Sequence, residues 1–231
     1  RWLNQVTDFD FYDYLFPVDC YSLLSIYDIP DKNKLVYYNM ELLDWNPTNA
    51  VYGNKLMLKA LEYRLIQSLQ CAVLPSLARA ESFCRFNQYP LEKIKILPVA
   101  AMGNPVTHRG GYFRKKFSIP DDYIVIIYSG NFAPWFLCVE MIDAMRTCTN
   151  LPYAFVMHTW NKSSTESVYF REMTKRASGL PIFFSSEYIS YDHLTEALSS
   201  ADIGLAFYES MDDNCTEILF SSNKIGEYLK A

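Results

Sequence analysis

The sequence lacks the glycine-rich signatures of several large enzyme classes. It contains no G-x-G-x-x-G turn, which disfavours a nicotinamide or flavin dinucleotide site, and no G-x-x-x-x-G-K-[ST] loop, which excludes a P-loop nucleotidase. A G-x-S-x-G elbow is also missing, which disfavours an α/β-hydrolase. These absences leave other nucleotide- and sugar-handling enzymes open.

Metal ligands and long apolar runs are scarce as well. The 6 cysteines form no C-x-x-C pair and there are only 3 histidines, so we expect no metal site and reduced thiols, as in a cytoplasmic protein. The longest apolar run, residues 123–128, is far short of the ~20 residues that cross a bilayer, and the polar and acidic first residues lead us to expect no signal peptide. A net charge of -5 argues against a nucleic-acid partner.

What the chain does contain is typical of a folded domain. Hydrophobic residues make up 50% and charged residues 20% of the 231 residues, which excludes disorder. Aromatic residues reach 16%, including 18 tyrosines. Tyrosine suits sugar-binding surfaces and hydrated interfaces, but a compositional bias of the source explains the excess equally well.

Apolar segments and amphipathic helices alternate along the chain, which predicts an α/β fold with parallel sheets. In the first half the predicted strands are 35–38, 72–74 and 94–97, and the helices are 54–70 and 76–87. In the second half the strands are 124–128, 153–157, 182–185 and 203–207, and the helices are 134–147, 163–178, 192–200 and 223–230. A capping box at Ser163 and Glu166 is expected to open the helix at 163–178.

Residues 101–121 are predicted to be a linker between a first domain at 1–100 and a second at 122–231. Glycine and proline interrupt this stretch, and a basic cluster is expected to keep it solvated. The cluster comprises Arg109, Arg114, Lys115 and Lys116. Contact of this cluster with anionic lipid is the alternative, so a peripheral membrane contact stays open.

Polar residues follow several predicted strands of the second half. Because ligands of open α/β sheets bind beyond the carboxyl ends of the strands, these residues are expected at one edge. They are Ser129, Gly130, Asn131, His158, Thr159, Ser186, Glu187, Tyr188, Tyr208 and Glu209. The acidic residues Asp212, Asp213 and Glu217 are expected near the same edge.

The last predicted helix carries the sharpest pattern. Ser222 and Asn223 open it, and its free N–H groups together with Lys224 favour an anion such as phosphate. Glu227 lies one turn further on the same face, where a carboxylate can accept hydrogen bonds from ribose hydroxyls. An ordinary capped surface helix with a Lys224–Glu227 pair is the alternative interpretation.

The order of these segments resembles GT-B glycosyltransferases, particularly the retaining family 4 type. In the second half the resemblance is carried by the strand and loop 126–131, the strand 155–158, the "ADIGL" strand at 201–205 and the "SNK-x-x-EYL" helix at 222–229. In the first half, residues 34–42 resemble a strand and "HEL" turn of the acceptor-side domain. The resemblance covers about residues 30–231.

The resemblance implies two Rossmann-like domains of GT-B type, the first acceptor-side and incomplete, the second nucleotide-sugar-binding and lacking its C-terminal end. It implies that Glu227 binds the ribose, and that Ser222, Asn223 and Lys224 lie near the diphosphate. The remaining implied contacts are Gly130 and Asn131 beside the phosphates or transferred sugar, and Tyr188 and Ile189 beside the base. The resemblance also implies Glu41, in the "HEL"-like turn, as an acceptor-side candidate. The strand-end pattern adds His158 as a ligand contact, and no catalytic residue is assigned.

The implied activity is transfer of a sugar from a UDP- or GDP-linked donor to a saccharide or lipid-linked acceptor. Retention of configuration, a role in cell-surface polysaccharide synthesis and no cofactor beyond the donor belong to the same expectation. The expected location is the cytoplasm, with possible contact with the inner face of the membrane. Two departures, Met40 in place of a histidine and no positive charge at 131–136, keep a non-catalytic nucleotide-sugar-binding or scaffold module as the alternative. We expect the chain to be a fragment of a longer protein.

Overall fold

The computed structural model describes residues 8–46, 55–148 and 150–231. The strands are β1 (Val36–Tyr38), β2 (Cys71–Leu74), β3 (Ile94–Ile96), β4 (Ile124–Ser129), β5 (Tyr153–His158), β6 (Ile182–Ser185) and β7 (Ile203–Gly204). The α-helices are α1 (Asp19–Ile26), α2 (Lys55–Ile66), α3 (Leu77–Asn87), α4 (Tyr112–Phe117), α5 (Cys138–Met145), α6 (Lys162–Glu166), α7 (Val168–Ala177), α8 (Tyr191–Leu198), α9 (Asp213–Thr216) and α10 (Asn223–Lys230).

The chain divides into two compact units, and the chain passes between them more than once. One unit comprises Arg1–Val99 with Asp212–Ser221, and the other comprises Ala100–Met211 with Ser222–Ala231. Both units contain strands alternating with helices, as the hydrophobic pattern predicts.

The first unit is built on a parallel sheet in the order β1-β2-β3. Short bridges at Leu15 and Val18 extend the pairing beyond β1. The apolar residues of the strands are covered by α1, α2 and α3, with Leu23, Leu74 and Phe83 fully enclosed in one core. An all-apolar strand such as β2 is typical of a parallel sheet that is buried on both faces.

The second unit contains a parallel sheet in the order β6-β5-β4-β7. All six residues of β5 are buried, because helices cover both faces of the sheet. One face packs against α5 and α7 and the other against α4 and α8. The connection order reverses at β4, since β5 lies on one side of it and β7 on the other. In open α/β sheets this switch point is where ligands bind.

The prediction of a solvated linker at 101–121 is wrong in part. Residues 112–117 form α4, whose Phe113 is fully buried in the core of the second unit. Arg114 is also buried, and its guanidinium donates to Asp202 and to the carbonyls of Pro120 and Tyr123. The hydrophobic residues within the basic cluster, rather than its charges, decide the packing.

Two predicted helices are divided in the structure. Ser167 caps α7 by accepting from the amide of Phe170, so the stretch 163–178 consists of α6 and α7. The predicted capping box is wrong, because Asn161 is the N-cap of α6 and accepts from the amide of Ser163. The stretch 134–147 begins as a 3-10 turn, and α5 starts only at Cys138, after Leu137 adopts a left-handed conformation.

The acidic residues expected near the donor edge are not part of the second unit. The segment Asp212–Ser221 belongs to the first unit, where Asp213 accepts hydrogen bonds from Ser82 and Arg85. Strand β7 is also shorter than predicted, with only two residues paired to β4. The chain therefore leaves the second sheet early and crosses to the first unit before α10.

Candidate functional site

A cavity of about 400 Å³ lies beyond the carboxyl end of β4 in the second unit. The loops after β4 and β5, the segment before α8 and the face of α10 line it. Seven of the residues predicted for the donor site are among its lining residues: Gly130, His158, Tyr188, Ile189, Asn223, Lys224 and Glu227. The topological switch point and the residue pattern thus identify the same place.

Gly130 allows a close approach between two elements at this cavity. A Cβ atom at this position would lie 3.1 Å from Lys224 Cε and 3.1 Å from the Tyr128 hydroxyl oxygen. The amide of Gly130 donates to the carbonyl of His158 at 2.9 Å, which ties the loop to the end of β5. A side chain at this position would therefore require Lys224 or Tyr128 to shift by a few tenths of an ångström, which glycine avoids.

Lys224 lies among aromatic rings rather than in an ion pair. Its Nζ is 4.1 Å from the ring centroid of Tyr128, 4.7 Å from that of Phe136 and 5.0 Å from that of Tyr208. We call these three rings the aromatic cage. The buried Nζ has no hydrogen-bond partner, and burial lowers the pKa of Lys224 to about 8. This arrangement is not the surface Lys224–Glu227 pair of the alternative interpretation.

Glu227 is buried and only half satisfied. Its Oε1 accepts a hydrogen bond of 2.6 Å from the hydroxyl of Tyr191, whereas its Oε2 is buried without a hydrogen-bond partner. A buried carboxylate oxygen with no donor is costly, so such a group marks either strain or a binding position. Oε2 is able to accept a hydrogen bond from a hydroxyl group in the cavity.

The amino end of α10 is uncapped by any side chain. Ser222 is the N-cap residue, but its hydroxyl is bonded to that of Tyr208 at 2.8 Å and does not accept from the first turn. Asn223 lines the cavity, whereas Ser222 does not. The N–H groups of the first helical turn have no intrahelical acceptors, so this end of α10 favours an anion.

His158 is buried at the end of β5 and is held neutral. Its Nδ1 lies 3.0 Å from the Ser185 hydroxyl oxygen. Burial lowers the pKa of His158 to about 4, the charge of Lys116 adds to the effect, and Glu187 opposes it. The imidazole can therefore donate or accept one hydrogen bond in the cavity but carries no charge at neutral pH.

Tyr188 and Ile189 border two cavities. Besides the one described above, they line a second cavity of about 610 Å³, together with Tyr112, Lys115 and His193. Lys224 and Glu227, whose side chains carry the buried unpartnered atoms, line the smaller cavity and do not line the larger one. We therefore take the smaller cavity as the candidate donor site.

Asn131 is not among the residues that line the site. Its side-chain oxygen accepts a hydrogen bond from Asn161 at 3.2 Å, and its carbonyl accepts one from the Tyr128 hydroxyl at 2.6 Å. Asn131 thus fixes the loop after β4, and its side chain is engaged by the neighbouring turn.

Glu41 lies in the first unit, beyond the carboxyl end of β1. The amides of Met40 and Glu41 both donate to Asp19 Oδ1, at 2.7 and 3.0 Å, and Arg79 donates to the Met40 carbonyl. Burial raises the pKa of Glu41, the charge of Arg79 lowers it, and the carboxylates of Asp19 and Asp212 raise it. The turn is therefore fixed, while the role of Glu41 stays a prediction.

Sequence reasoning missed the residues that position the two charged groups. Tyr191, Phe136 and Tyr128 were assigned no site role, although each contacts Glu227 or Lys224. Tyr128 and Tyr191 lie in segments that carry the GT-B resemblance, but the resemblance assigned them no contact, and Phe136 was predicted only as a helix residue. Trp160 also lines the cavity and has a side chain that is mostly exposed.

The described ranges show neither a metal-binding cluster nor a membrane-spanning helix. Within 8–46, 55–148 and 150–231, no group of three or more His, Cys, Asp or Glu side chains is arranged to hold a metal ion. In the same ranges, no helix combines the length and apolar character that a bilayer crossing requires.

No protein-family model matches the chain, and no curated protein matches it. Solved structures do match, and those named here are GT-B glycosyltransferases, which confirms the GT-B resemblance and the Rossmann-like fold class. Sucrose-phosphate synthase from Thermosynechococcus elongatus superposes with a TM-score of 0.62 at 12% identity, over 85% of this chain and 51% of its own.

Two further structures extend the comparison. Anabaena HepE, in complex with UDP and glucose, gives a TM-score of 0.66 at 12% identity, over 91% of this chain and 56% of its own. WaaG, a glycosyltransferase involved in lipopolysaccharide biosynthesis, gives 0.58 at 13% identity, over 80% of this chain and 53% of its own. The chain thus spans about half the length of these structures, and at such identities the likeness establishes the fold alone.

Proposed function

We propose that the chain is part of a glycosyltransferase and that its second unit binds the nucleoside-diphosphate sugar donor. The observation that carries the proposal is the cavity at the switch point of the second sheet. There an uncapped helix end, a buried ammonium without a hydrogen-bond partner and a half-satisfied carboxylate meet on one helix, α10.

The chemistry of the three groups matches three parts of a sugar nucleotide. The diphosphate binds at the amino end of α10, at Asn223 and Lys224, where N–H groups and a positive charge stabilise anionic oxygens. A ribose hydroxyl donates to Glu227 Oε2 and satisfies that atom. The base lies beside Tyr188 and Ile189, and His158 offers one hydrogen bond to the sugar or the phosphates.

The helix end and Lys224 also supply what the reaction requires at the departing diphosphate. Negative charge develops on the leaving phosphate as the anomeric bond breaks, and fixed donors that stabilise this charge lower the barrier. A saccharide or lipid-linked acceptor, retention of configuration and a role in cell-surface polysaccharide synthesis are further parts of the proposal. WaaG supports the last of these because its stated role is in lipopolysaccharide biosynthesis.

UDP is the nucleotide that we propose first, with GDP as the comparison, because the HepE structures hold UDP, UDP-glucose or glucose. An enzyme is favoured over a non-catalytic scaffold, since the neighbours named above are transferases. The proposed location is the cytoplasm, and contact with the membrane surface remains a prediction. Three of the four basic residues suggested for that contact, Arg109, Arg114 and Lys116, form ion pairs.

The donor assignment is tested by calorimetric titration of the 231-residue chain with UDP, UDP-glucose and GDP. Glu227→Gln keeps the size of the side chain but removes the charge, so we expect UDP affinity to fall by at least about tenfold. Glu92→Gln, the same substitution at an exposed site of the first unit, is the control and should leave affinity unchanged. Equal affinities for the wild type and the Glu227 variant would contradict the assignment.

A further inference from the structure

The Lys224 ammonium occupies an unusual environment for a group that is proposed to meet a diphosphate. The aromatic cage encloses it, and its Nζ is buried with no hydrogen-bond partner. An ammonium in water satisfies three donors, and burial without replacement bonds disfavours the charged form. The ring faces compensate in part, since the π-electron face of each ring attracts the positive charge.

The cage comes from three separate parts of the chain and holds the ammonium at a defined place. Tyr128 belongs to β4, Phe136 to the 3-10 turn before α5, and Tyr208 to the segment after β7. At Gly130, the Lys224 Nζ is 3.3 Å from the position that a Cβ atom would occupy. The ammonium therefore lies beside the loop after β4, which lines the proposed donor cavity.

The charged and titratable groups around Lys224 do not neutralise it. Among the described residues, Cys138 on α5 would raise the pKa of Lys224 as a thiolate, but burial raises its own pKa to about 11, so it is a neutral thiol between pH 7 and 9. The pKa of Tyr128 is also raised by burial, and that of His158 on β5 is lowered to about 4. Glu227, one turn along α10, has its Oε1 bonded to Tyr191.

We propose that the aromatic cage positions Lys224 and keeps a fraction of it as the neutral amine, so that a nucleoside diphosphate binds together with one proton taken up at Lys224 Nζ. This inference rests on the proposed donor site. The step is an acid–base one: the amine lone pair accepts a proton from solvent or buffer, and the bound diphosphate stabilises the resulting ammonium. Tyr128, Phe136 and Tyr208 are then positioning residues for the donor.

The sign of the pH effect follows from this linkage. With a pKa of about 8 in the free protein, Lys224 is already charged below pH 7, so UDP binding causes no proton uptake at Nζ in that range. As the pH rises from 7 to 9, the charged fraction falls to about one tenth, so UDP affinity should weaken about tenfold. An ordinary exposed lysine stays charged over this range and predicts no such change.

The test is calorimetric titration with UDP at pH 7 and pH 8.5, each in two buffers of different ionisation enthalpy. The difference in binding enthalpy between the two buffers gives the number of protons taken up. The wild type should take up more than half a proton at pH 8.5 and less at pH 7. Lys224→Arg is the charge-conserving variant, and its guanidinium should bind UDP without this uptake at pH 8.5. Phe136→Leu opens the cage to water and should reduce the uptake while UDP still binds.

The possible outcomes separate this inference from the proposed function. If the wild type binds UDP with no proton uptake at pH 8.5 and with equal affinity at pH 7 and 9, the inference is overturned and the donor site stands. If the wild type binds no UDP, both are overturned. If Lys224→Arg proves unable to bind, the pH profiles of the wild type and Phe136→Leu decide alone.

Discussion

The hydroxyl of Tyr191 donates to Glu227 Oε1 at 2.6 Å and accepts a hydrogen bond from the amide of Met102 at 2.9 Å. This link fixes one carboxylate oxygen of Glu227, a residue that lines the cavity, and leaves the buried Oε2 without a partner. Tyr191 is the first helical residue of α8, so the position of the proposed ribose-binding carboxylate depends on two helices.

Removing this hydroxyl should weaken donor binding without removing the carboxylate. Tyr191→Phe leaves the charge of Glu227 intact but frees its orientation, so we expect a loss of about threefold to tenfold in UDP affinity. Calorimetry measures the affinity, and thermal unfolding should show a loss near 1 kcal/mol. Tyr63→Phe, which removes an exposed tyrosine hydroxyl from the first unit, is the control. An unchanged affinity in Tyr191→Phe would show that the hydroxyl does not orient Glu227.

Arg79 fixes the segment Asp212–Ser221 within the first unit. Its side chain is buried and donates to the carbonyls of Met40, Asn214 and Glu217. Arg79→Ala leaves three part-buried acceptors without their donor and removes a buried side chain, so we expect a loss on the order of 3 kcal/mol in the unit's unfolding free energy. Hydrogen exchange of the amides at 212–221 measures the local effect.

The matched control for this change is Arg85→Ala. Arg85 pairs with Asp213 of the same segment, but its side chain is 65% exposed, so its removal should cost less than about 1 kcal/mol. Similar exchange rates in the two variants would show that the buried carbonyl contacts of Arg79 do not hold the segment.

A fully buried ion pair in the first unit gives a third prediction. Lys59 and Glu62 are 2.8 Å apart with both side chains inaccessible, and Tyr37 donates to Glu62 at 2.6 Å. Lys59→Met leaves an unpaired buried carboxylate and should cost about 3–5 kcal/mol. The double variant Lys59→Met/Glu62→Gln should be more stable than Lys59→Met alone, as urea unfolding will measure. A double variant whose loss equals the sum of the two single losses would contradict the coupling.

His158 predicts a loss of stability in mild acid. Its pKa is lowered from 6.5 to about 4 in the folded protein, so the unfolded chain binds more protons between these values. Stability should therefore fall as the pH falls through this window, by about 2 kcal/mol at pH 5 from this group. His158→Asn has no such proton to gain, and its urea unfolding should depend less on pH between 7 and 5. Identical pH profiles would contradict the assignment.

The hydrophobic pattern was sufficient for most of the fold. Strand β6 and helix α10 have the predicted bounds, and the other strands differ by few residues, because apolar runs in a parallel sheet have no other place to be buried. Helix α4 was missed because it is only six residues long, which is too short to show a clear helical period. Its charged residues also suggested a linker. The packing of Asp212–Ser221 within the first unit was also missed. It depends on hydrogen bonds from Arg79, which lies more than 100 residues away in the sequence.

The candidate site was predictable only in part, namely where its residues lie close together in the sequence. Glu227, Lys224 and Asn223 lie on one helix, where spacing alone places them together. The aromatic cage could not be predicted, because Tyr128, Phe136 and Tyr208 come from separate segments that only the tertiary fold brings to Lys224.

The central claim is that a nucleoside diphosphate binds at the amino end of α10. A crystal structure of this chain with UDP tests it most directly. The account predicts diphosphate oxygens within hydrogen-bond distance of the amides of Asn223 or Lys224, and a ribose hydroxyl on Glu227 Oε2. A diphosphate bound away from α10, with Glu227 Oε2 still lacking a donor, would contradict it.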